Sequence, residues 1–192
     1  KKALGDSERY QTVYAVENGS VAAPTAGLHF TRELLETITS TGVKVVTVTL
    51  HVGLDTFMPV RVEQIDRHTI HSEWCRMDGE VIKTINRARV AGGRIVAVGT
   101  TTVRVLETAS ANSSSGPMKS FDGYTDLFIY PGYNFSVVDA VLTNFHLPKS
   151  TLLMMMGAFM EEQGIQTLLD IYADAIHEGY RFYSFGDAML IL

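Results

Sequence analysis

Two hydrophobic periods alternate along this chain. Residues 43–52 (VKVVTVTLHV) are rich in β-branched side chains and read as a strand. So do 94–98 (RIVAV) and 126–130 (DLFIY), the last stopped by Pro131-Gly132, and a fourth strand lies within 137–145 (VVDAVLTNF). Between them the spacing turns helical. Residues 31–39 follow a Thr31 cap and stop at Gly42. Residues 78–91 set Val81, Ile82, Ile85 and Ala88 on one face and stop at Gly92-Gly93. A short helix over 102–109 continues from the second strand. Ser150 can cap a helix over 151–162 that is apolar on most sides, and 166–177 form a last helix with Leu169, Tyr172, Ala173 and Ile176 inward. Strands alternating with helices imply a single α/β domain across 1–192, with a layered, mostly parallel sheet and helices on both faces. Ligands of such a sheet sit beyond the carboxyl ends of its strands.

Composition changes this picture little. With 46% hydrophobic and 19% charged residues in 192, the chain can fill a core and is not a disordered tract. One cysteine, Cys75, excludes an internal disulfide scaffold and reads as a small buried hydrophobe. The longest apolar run, 152–160, is far short of the roughly 20 residues a membrane span needs, so no membrane partner is expected. No basic-then-apolar leader opens the sequence, and a reducing cytoplasm is the expected compartment. A net charge of −5 runs against nonspecific coating of nucleic acid, although an acidic body can carry one basic patch.

Polar residues cluster where the strand-end rule points. Residues 99–104 (GTTTVR) follow the second strand. They read either as a strand-to-helix turn with an exposed Arg104 or as an anion site. In the second reading Gly99 admits a ligand, the amides of Thr100, Thr101 and Thr102 attract negative charge, and Arg104 adds a bidentate contact. Neither GxxxxGK[ST] nor GxGxxG is present. Asn144 and His146 follow the fourth strand; His146 is a general base or a histidine bonding backbone at a turn, and Lys149 beside it is solvated or meets an anion. His71 and Glu73 face the same side of an extended segment. They form an acid/base pair with Trp74 as a stacking surface, or a polar edge with Trp74 in the core. No HxxxH or CxxC spacing joins His29 or His51 to these, so no metal is expected.

Seven blocks occur in order: VAAPTAGLHF (21–30), TLHVGLDTF (49–57), IHSEW (70–74), VAVGTTTVRVLE (96–107), TDLFIYPGY (125–133), LTNFHLPKSTLL (142–153) and YRFYSFGDAML (180–190). Through them the chain resembles the S-adenosylmethionine:tRNA ribosyltransferase-isomerase family of queuosine biosynthesis, from about Tyr10 to the end. Family proteins are longer, with an N-terminal segment and a β-barrel domain. The resemblance therefore implies the carboxyl-terminal part of a two-domain enzyme, with the barrel largely absent from this chain. Asp55 stands where the family usually has Gly, Thr102 where Ser is usual, and Ile70 where Met is usual.

The resemblance implies a reaction. The ribosyl part of S-adenosylmethionine, a consumed co-substrate, is transferred and isomerised onto a 7-aminomethyl-7-deazaguanine base in the tRNA anticodon loop, releasing adenine and methionine. Such a site needs a base, a holder for adenine and an anion site. The implied base is His146 or the His71/Glu73 pair, with His29 and His51 secondary. Gly99, Thr100, Thr101, Thr102 and Arg104 supply the anion site, Asn144 and Lys149 adjoin it, and Phe30, Phe57, Phe145 or Trp74 stack on adenine or the splayed base. A monomer is the expectation. Two other readings stand at this point: an α/β enzyme on a small metabolite without a nucleic acid partner, and an inactive folding core.

Overall fold

The computed structural model describes residues 10–53, 70–113, 116–160 and 164–192. After a 3-10 turn, Thr25–His29, the chain runs α1 (Arg32–Ser40), β1 (Thr49–Leu50), β2 (Glu73–Met77), α2 (Gly79–Val90), β3 (Val96–Val98) and α3 (Thr100–Ala111). It continues with β4 (Phe121–Thr125), β5 (Ala140–Asn144), α4 (Thr151–Ala158), α5 (Gly164–His177) and β6 (Ala188–Ile191). The strands form two three-stranded sheets, ordered β1-β2-β4 and β3-β5-β6.

The fold is mixed α/β, but the mostly parallel sheet expected from the alternation is not what forms. Among the described residues β3 and β5 are the one parallel pair, and the pairs β1–β2, β2–β4 and β5–β6 are antiparallel. The strand expected at 126–130 is absent as well. Its neighbour Phe121–Thr125 pairs with β2 instead, because beyond Thr125 the backbone turns to other partners: Leu127 gives its N–H to Thr125 Oγ1 at 3.3 Å and its carbonyl to Arg104 Nε at 3.1 Å. Only Thr49 and Leu50 of the stretch 43–52 join a ladder.

Helix α3 lies between the sheets and packs against strands of both. Its residues from Val103 to Ala109 are buried without interruption, which an amphipathic surface helix would not allow. Two of them are charged. Strand β2 explains one partner: its inward face carries Glu73, Cys75 and Met77, the alternate positions of a period-two strand. The Glu73 carboxylate on that face pairs with Arg104, both side chains almost fully buried. Arg104 also donates to the carbonyls of Thr125 at 3.1 Å and His71 at 3.4 Å, while the other Glu73 oxygen accepts from Gly53 N–H at 2.8 Å. One turn later, Glu107 accepts the N–H groups of Ser136, Val137 and Val138 at 2.9, 2.9 and 3.0 Å and the Tyr133 hydroxyl at 3.2 Å, so it gathers the loop that leads into β5. Burial beside Glu107 pushes the Tyr133 phenol up to about 12.

The helices follow their sequence signals at the ends. Thr31 Oγ1 caps α1 through Leu34 N–H at 3.2 Å, and Ser150 Oγ caps α4 through Leu153 N–H at 3.1 Å. The inner face of α5 is rotated from the expected one: Leu168, Tyr172 and Ala175 are buried, whereas Leu169 and Ile176 are exposed. Cys75 is fully buried in the core, and burial pushes its thiol up to about 11.

Removing one partner of the buried pair leaves an uncompensated charge. Arg104→Met is expected to destabilise the fold by about 3–5 kcal/mol in urea unfolding, and adding Glu73→Gln is expected to restore more than half of that loss.

Candidate functional site

The parallel pair positions the site. Strand β3 ends at Val98, and Gly99 turns the chain into α3 with φ +89°, a conformation that side chains rarely adopt. Its N–H continues the ladder to Leu142 C=O at 2.8 Å, and its carbonyl accepts Val103 N–H at 3.3 Å. Having no side chain, Gly99 caps none of the first-turn amides of α3. The partner strand β5 ends at Asn144. There Thr143 Oγ1 lies 2.8 Å from His146 Nε2, and the His146 backbone N–H donates to the Tyr172 hydroxyl of α5 at 2.9 Å. Asn144 Oδ1 accepts the Thr25 hydroxyl at 2.9 Å, and its amide meets His29 Nε2 at 3.2 Å, docking the 3-10 turn on the end of β5.

These ends enclose a cleft of about 710 Å³ including its open mouth. Its walls come from 23–26 and Val52, from 99–101 at the start of α3, from 143–147 with Ser150 and Leu152, and from Tyr183 and Ser184 ahead of β6. The first turn of α3 carries no side-chain cap and lines the cleft at Thr100 and Thr101, and a helix start of this kind favours an anionic group. Burial holds the His146 imidazole down at about 4, so it is neutral at physiological pH and offers both a donor and an acceptor. The Tyr172 phenol that anchors it is pushed up to about 12 by burial and stays protonated. Close by in sequence to Tyr183, Asp187 accepts Arg181 N–H at 2.8 Å and Arg181 Nη2 at 2.6 Å. The Arg181 hydrogen bonds, side chain first, hold its carboxyl at about 2, and His29 acts on it in the same direction.

The structure brings together six of the residues singled out from sequence: Gly99, Thr100, Thr101, Asn144, Phe145 and His146 all line the cleft. His29 is tied to this set through Asn144. The remaining candidates lie elsewhere. Thr102 turns its hydroxyl back to Val98 C=O at 2.7 Å. Arg104 does not line the cleft: it is neither exposed nor open to an anion, since Glu73 and three carbonyls occupy its guanidinium. Glu73 is likewise a core residue, held by Arg104 and Gly53 N–H, while His71 is exposed. His51 stacks on Trp74 with centroids 4.7 Å apart, and its Nε2 is buried without a hydrogen-bond partner. Trp74 donates to Asp122 Oδ1 at 2.9 Å and has the Arg76 guanidinium 5.8 Å from its ring. Phe30 and Lys149 do not line the cleft; Lys149 is exposed, with φ +57°. Asp55 and Phe57 lie outside the described residues. Sequence reasoning missed Thr143, Tyr183 and Ser184 as cleft residues; all three fall inside the quoted blocks, which was the available signal. Among the described residues no three His, Cys, Asp or Glu side chains are grouped to hold a metal, and no helix is long and apolar enough to cross a membrane.

A cleft thus lies at the carboxyl ends of adjacent parallel strands in an α/β protein, lined by the start of α3 and by the His146 imidazole. The chain belongs to the queuosine biosynthesis protein family, whose model matches residues 1–191. It is 55% identical over its whole length to an S-adenosylmethionine:tRNA ribosyltransferase-isomerase of Desulforamulus reducens and 54% identical over its whole length to one of Moorella thermoacetica, covering 55% of each relative. One from Desulfitobacterium hafniense is 54% identical over 98% of the chain and 54% of the relative. The chain thus spans about half the length of the curated relatives it matches. The crystal structure of S-adenosylmethionine tRNA ribosyltransferase from Thermotoga maritima is similar with a TM-score of 0.70 at 44% identity, over 87% of this chain and 51% of that one.

The depressed imidazole has a stability consequence. Unfolded, His146 takes a proton below about pH 6.5; folded, it does so only below about 4. The unfolded state binds more protons between these values, so stability falls as pH drops from about 6.5 to about 4 and this contribution then levels off. Urea midpoints measured across that range are expected to fall less steeply in His146→Gln than in the wild type.

Proposed function

We propose that this chain carries the donor-binding cleft of an S-adenosylmethionine:tRNA ribosyltransferase-isomerase, which moves and isomerises the ribosyl part of S-adenosylmethionine onto a 7-aminomethyl-7-deazaguanine base in tRNA. The observation that carries this reading is the cleft itself, where the open amides of α3 and the neutral His146 face one small-molecule volume in a chain of this family. Family membership supplies the substrates, and the anticodon loop of tRNA is the proposed acceptor.

Each group has a task in this reading. The amides of Thr100 and Thr101 hold the methionine carboxylate of the donor or a tRNA phosphate, a role that Arg104 cannot share from inside the core. His146 is neutral and therefore able to accept a proton from the donor carbon activated by the sulfonium, or from the attacking amine. Thr143 and Tyr172 orient its ring and its backbone. Asn144 fixes His29 at the rim, where His29 is the second candidate for proton transfer. Metal chemistry is not part of this proposal, and S-adenosylmethionine is consumed as a substrate.

The test follows adenine release on tRNA bearing the deazaguanine base. In a chain of the relatives' full length that carries these residues, His146→Ala is expected to lower turnover by about 10²-fold or more. A loss of less than a few-fold would remove His146 from the proton-transfer role. Release of adenine with unmodified tRNA at the same rate would sink the substrate assignment.

A further inference from the structure

We propose that Tyr183 is the aromatic wall of the cleft and stacks on the adenine of the donor. This rests on the reading of the cleft as a donor site given above. Tyr183 lines the cleft together with Asn144, His146 and Thr100, yet about half of its surface (51%) remains exposed. A large aromatic side chain left half open beside a small-molecule cleft is a stacking surface for a flat heterocycle.

The backbone argues that this exposure is imposed. Tyr183 has φ +72°, a conformation in which a bulky residue is an outlier, and such outliers persist only where the surroundings over-determine them. Here they do. Tyr183 N–H donates to Phe145 C=O at 3.0 Å, and Tyr183 C=O accepts Gly186 N–H at 2.9 Å. Asp187 N–H donates to Arg181 C=O at 2.7 Å while its carboxylate holds Arg181 from the other side. Gly186 is packed so closely that a Cβ would come within 2.3 Å of Arg181 O. The effect is to set two neighbouring rings edge-on to each other, with centroids 6.3 Å apart. Phe182 enters the core, with centroids 4.8 Å from Phe145 and 5.4 Å from Tyr172, whereas Tyr183 stays at the cleft.

Calorimetric titration of the chain with S-adenosylmethionine, adenine, methionine and free 7-aminomethyl-7-deazaguanine tests the proposal in the wild type and in Tyr183→Phe, Tyr183→Leu and Tyr183→Gly. Glycine accepts the positive φ without strain, so it removes the ring while easing the backbone. The expected result is binding of S-adenosylmethionine and adenine about tenfold or more weaker in the Leu and Gly variants, within about twofold in the Phe variant, and unchanged methionine binding throughout. Equal adenine binding by wild type and Tyr183→Gly overturns the proposal and leaves the donor-site reading standing. A parallel loss of methionine binding also overturns it, because the residue then shapes the cleft without stacking. Loss confined to the deazaguanine base assigns the wall to the acceptor and overturns the adenine assignment. If the wild type binds neither S-adenosylmethionine, adenine nor methionine, the donor-site reading itself falls and the proposal falls with it.

Discussion

A buried cation ties the helix between the two sheets to the β1-β2-β4 sheet. Arg104 leaves the helix that follows β3 and reaches the far sheet, where it meets Glu73 of β2, the carbonyl at the end of β4 and the carbonyls of His71 and Leu127. Burying either charge alone is severely unfavourable, so each side chain dictates the other's position. Because Glu73 also receives Gly53 N–H, the pair fixes where the chain leaves β1. Val52, one residue earlier, gives its N–H to Ser20 Oγ at 2.9 Å and its carbonyl to Val21 N–H at 3.0 Å. The strap carrying Ala23 and Pro24 to the cleft is thus registered against the same buried pair. Polar specificity in the core is converted into the placement of a cleft wall.

The site then falls at the one place where, among the described residues, the topology is parallel. Strands β3 and β5 point the same way, so their carboxyl ends deliver Gly99 and Asn144 side by side. An antiparallel neighbour would have brought an amino end there, and β6 does so: it begins at Ala188 opposite Asn144, which is why the turn preceding β6 supplies the remaining wall. The cleft therefore joins two logics, strand ends on one side and a clamped turn on the other. Glu107, four donors gathered on one carboxylate, does for the entry into β5 what Arg104 does for the β1-β2-β4 sheet.

Local features of this arrangement were legible in the sequence and non-local ones were not. Thr31, Ser150 and Gly99 carry their meaning within a few residues, and the caps and the strand-to-helix turn were readable from them. The same holds for Gly99, Thr100, Thr101, Asn144 and His146, which strand ends alone bring to the cleft. Arg104 shows the limit. Its spacing from Gly99 suited an anion site, but its environment is set by residues 31 positions earlier and 21 to 23 later, through a pairing that periodicity does not encode. Sheet direction failed for the same reason, since alternation of strand and helix constrains neighbours in sequence and β2–β4 pairing skips over a helix, a strand and another helix. The stretch DLFIY has a strand's composition and none of its partners. On α5 the error was one residue of rotation, because Leu169 and Ile176 are as apolar as the residues that are buried.

Backbone strain is distributed in a way that composition could not foretell. Among the described residues, Lys149 and Tyr183 are the non-glycine positions with positive φ; Tyr183 lines the cleft, and Lys149 lies in the turn between the cleft residues Leu147 and Ser150. Each such conformation costs on the order of 1–3 kcal/mol. A core optimised only for stability would shed both by substituting glycine, which adopts these angles freely. At 149 the neighbouring bonds are strong enough to hold the strained form: the Ser150 hydroxyl donates to Leu147 C=O at 2.7 Å and accepts Leu153 N–H, closing the turn around the lysine. At 183 the bonds to Phe145 and Gly186 do the same work. At Tyr183, a side chain kept where glycine would be less strained, with hydrogen bonds that enforce its backbone, places the demand on the cleft rather than on the fold. The residues that the sequence offered as chemistry form one wall, and Tyr183, which strain identifies, stands in another.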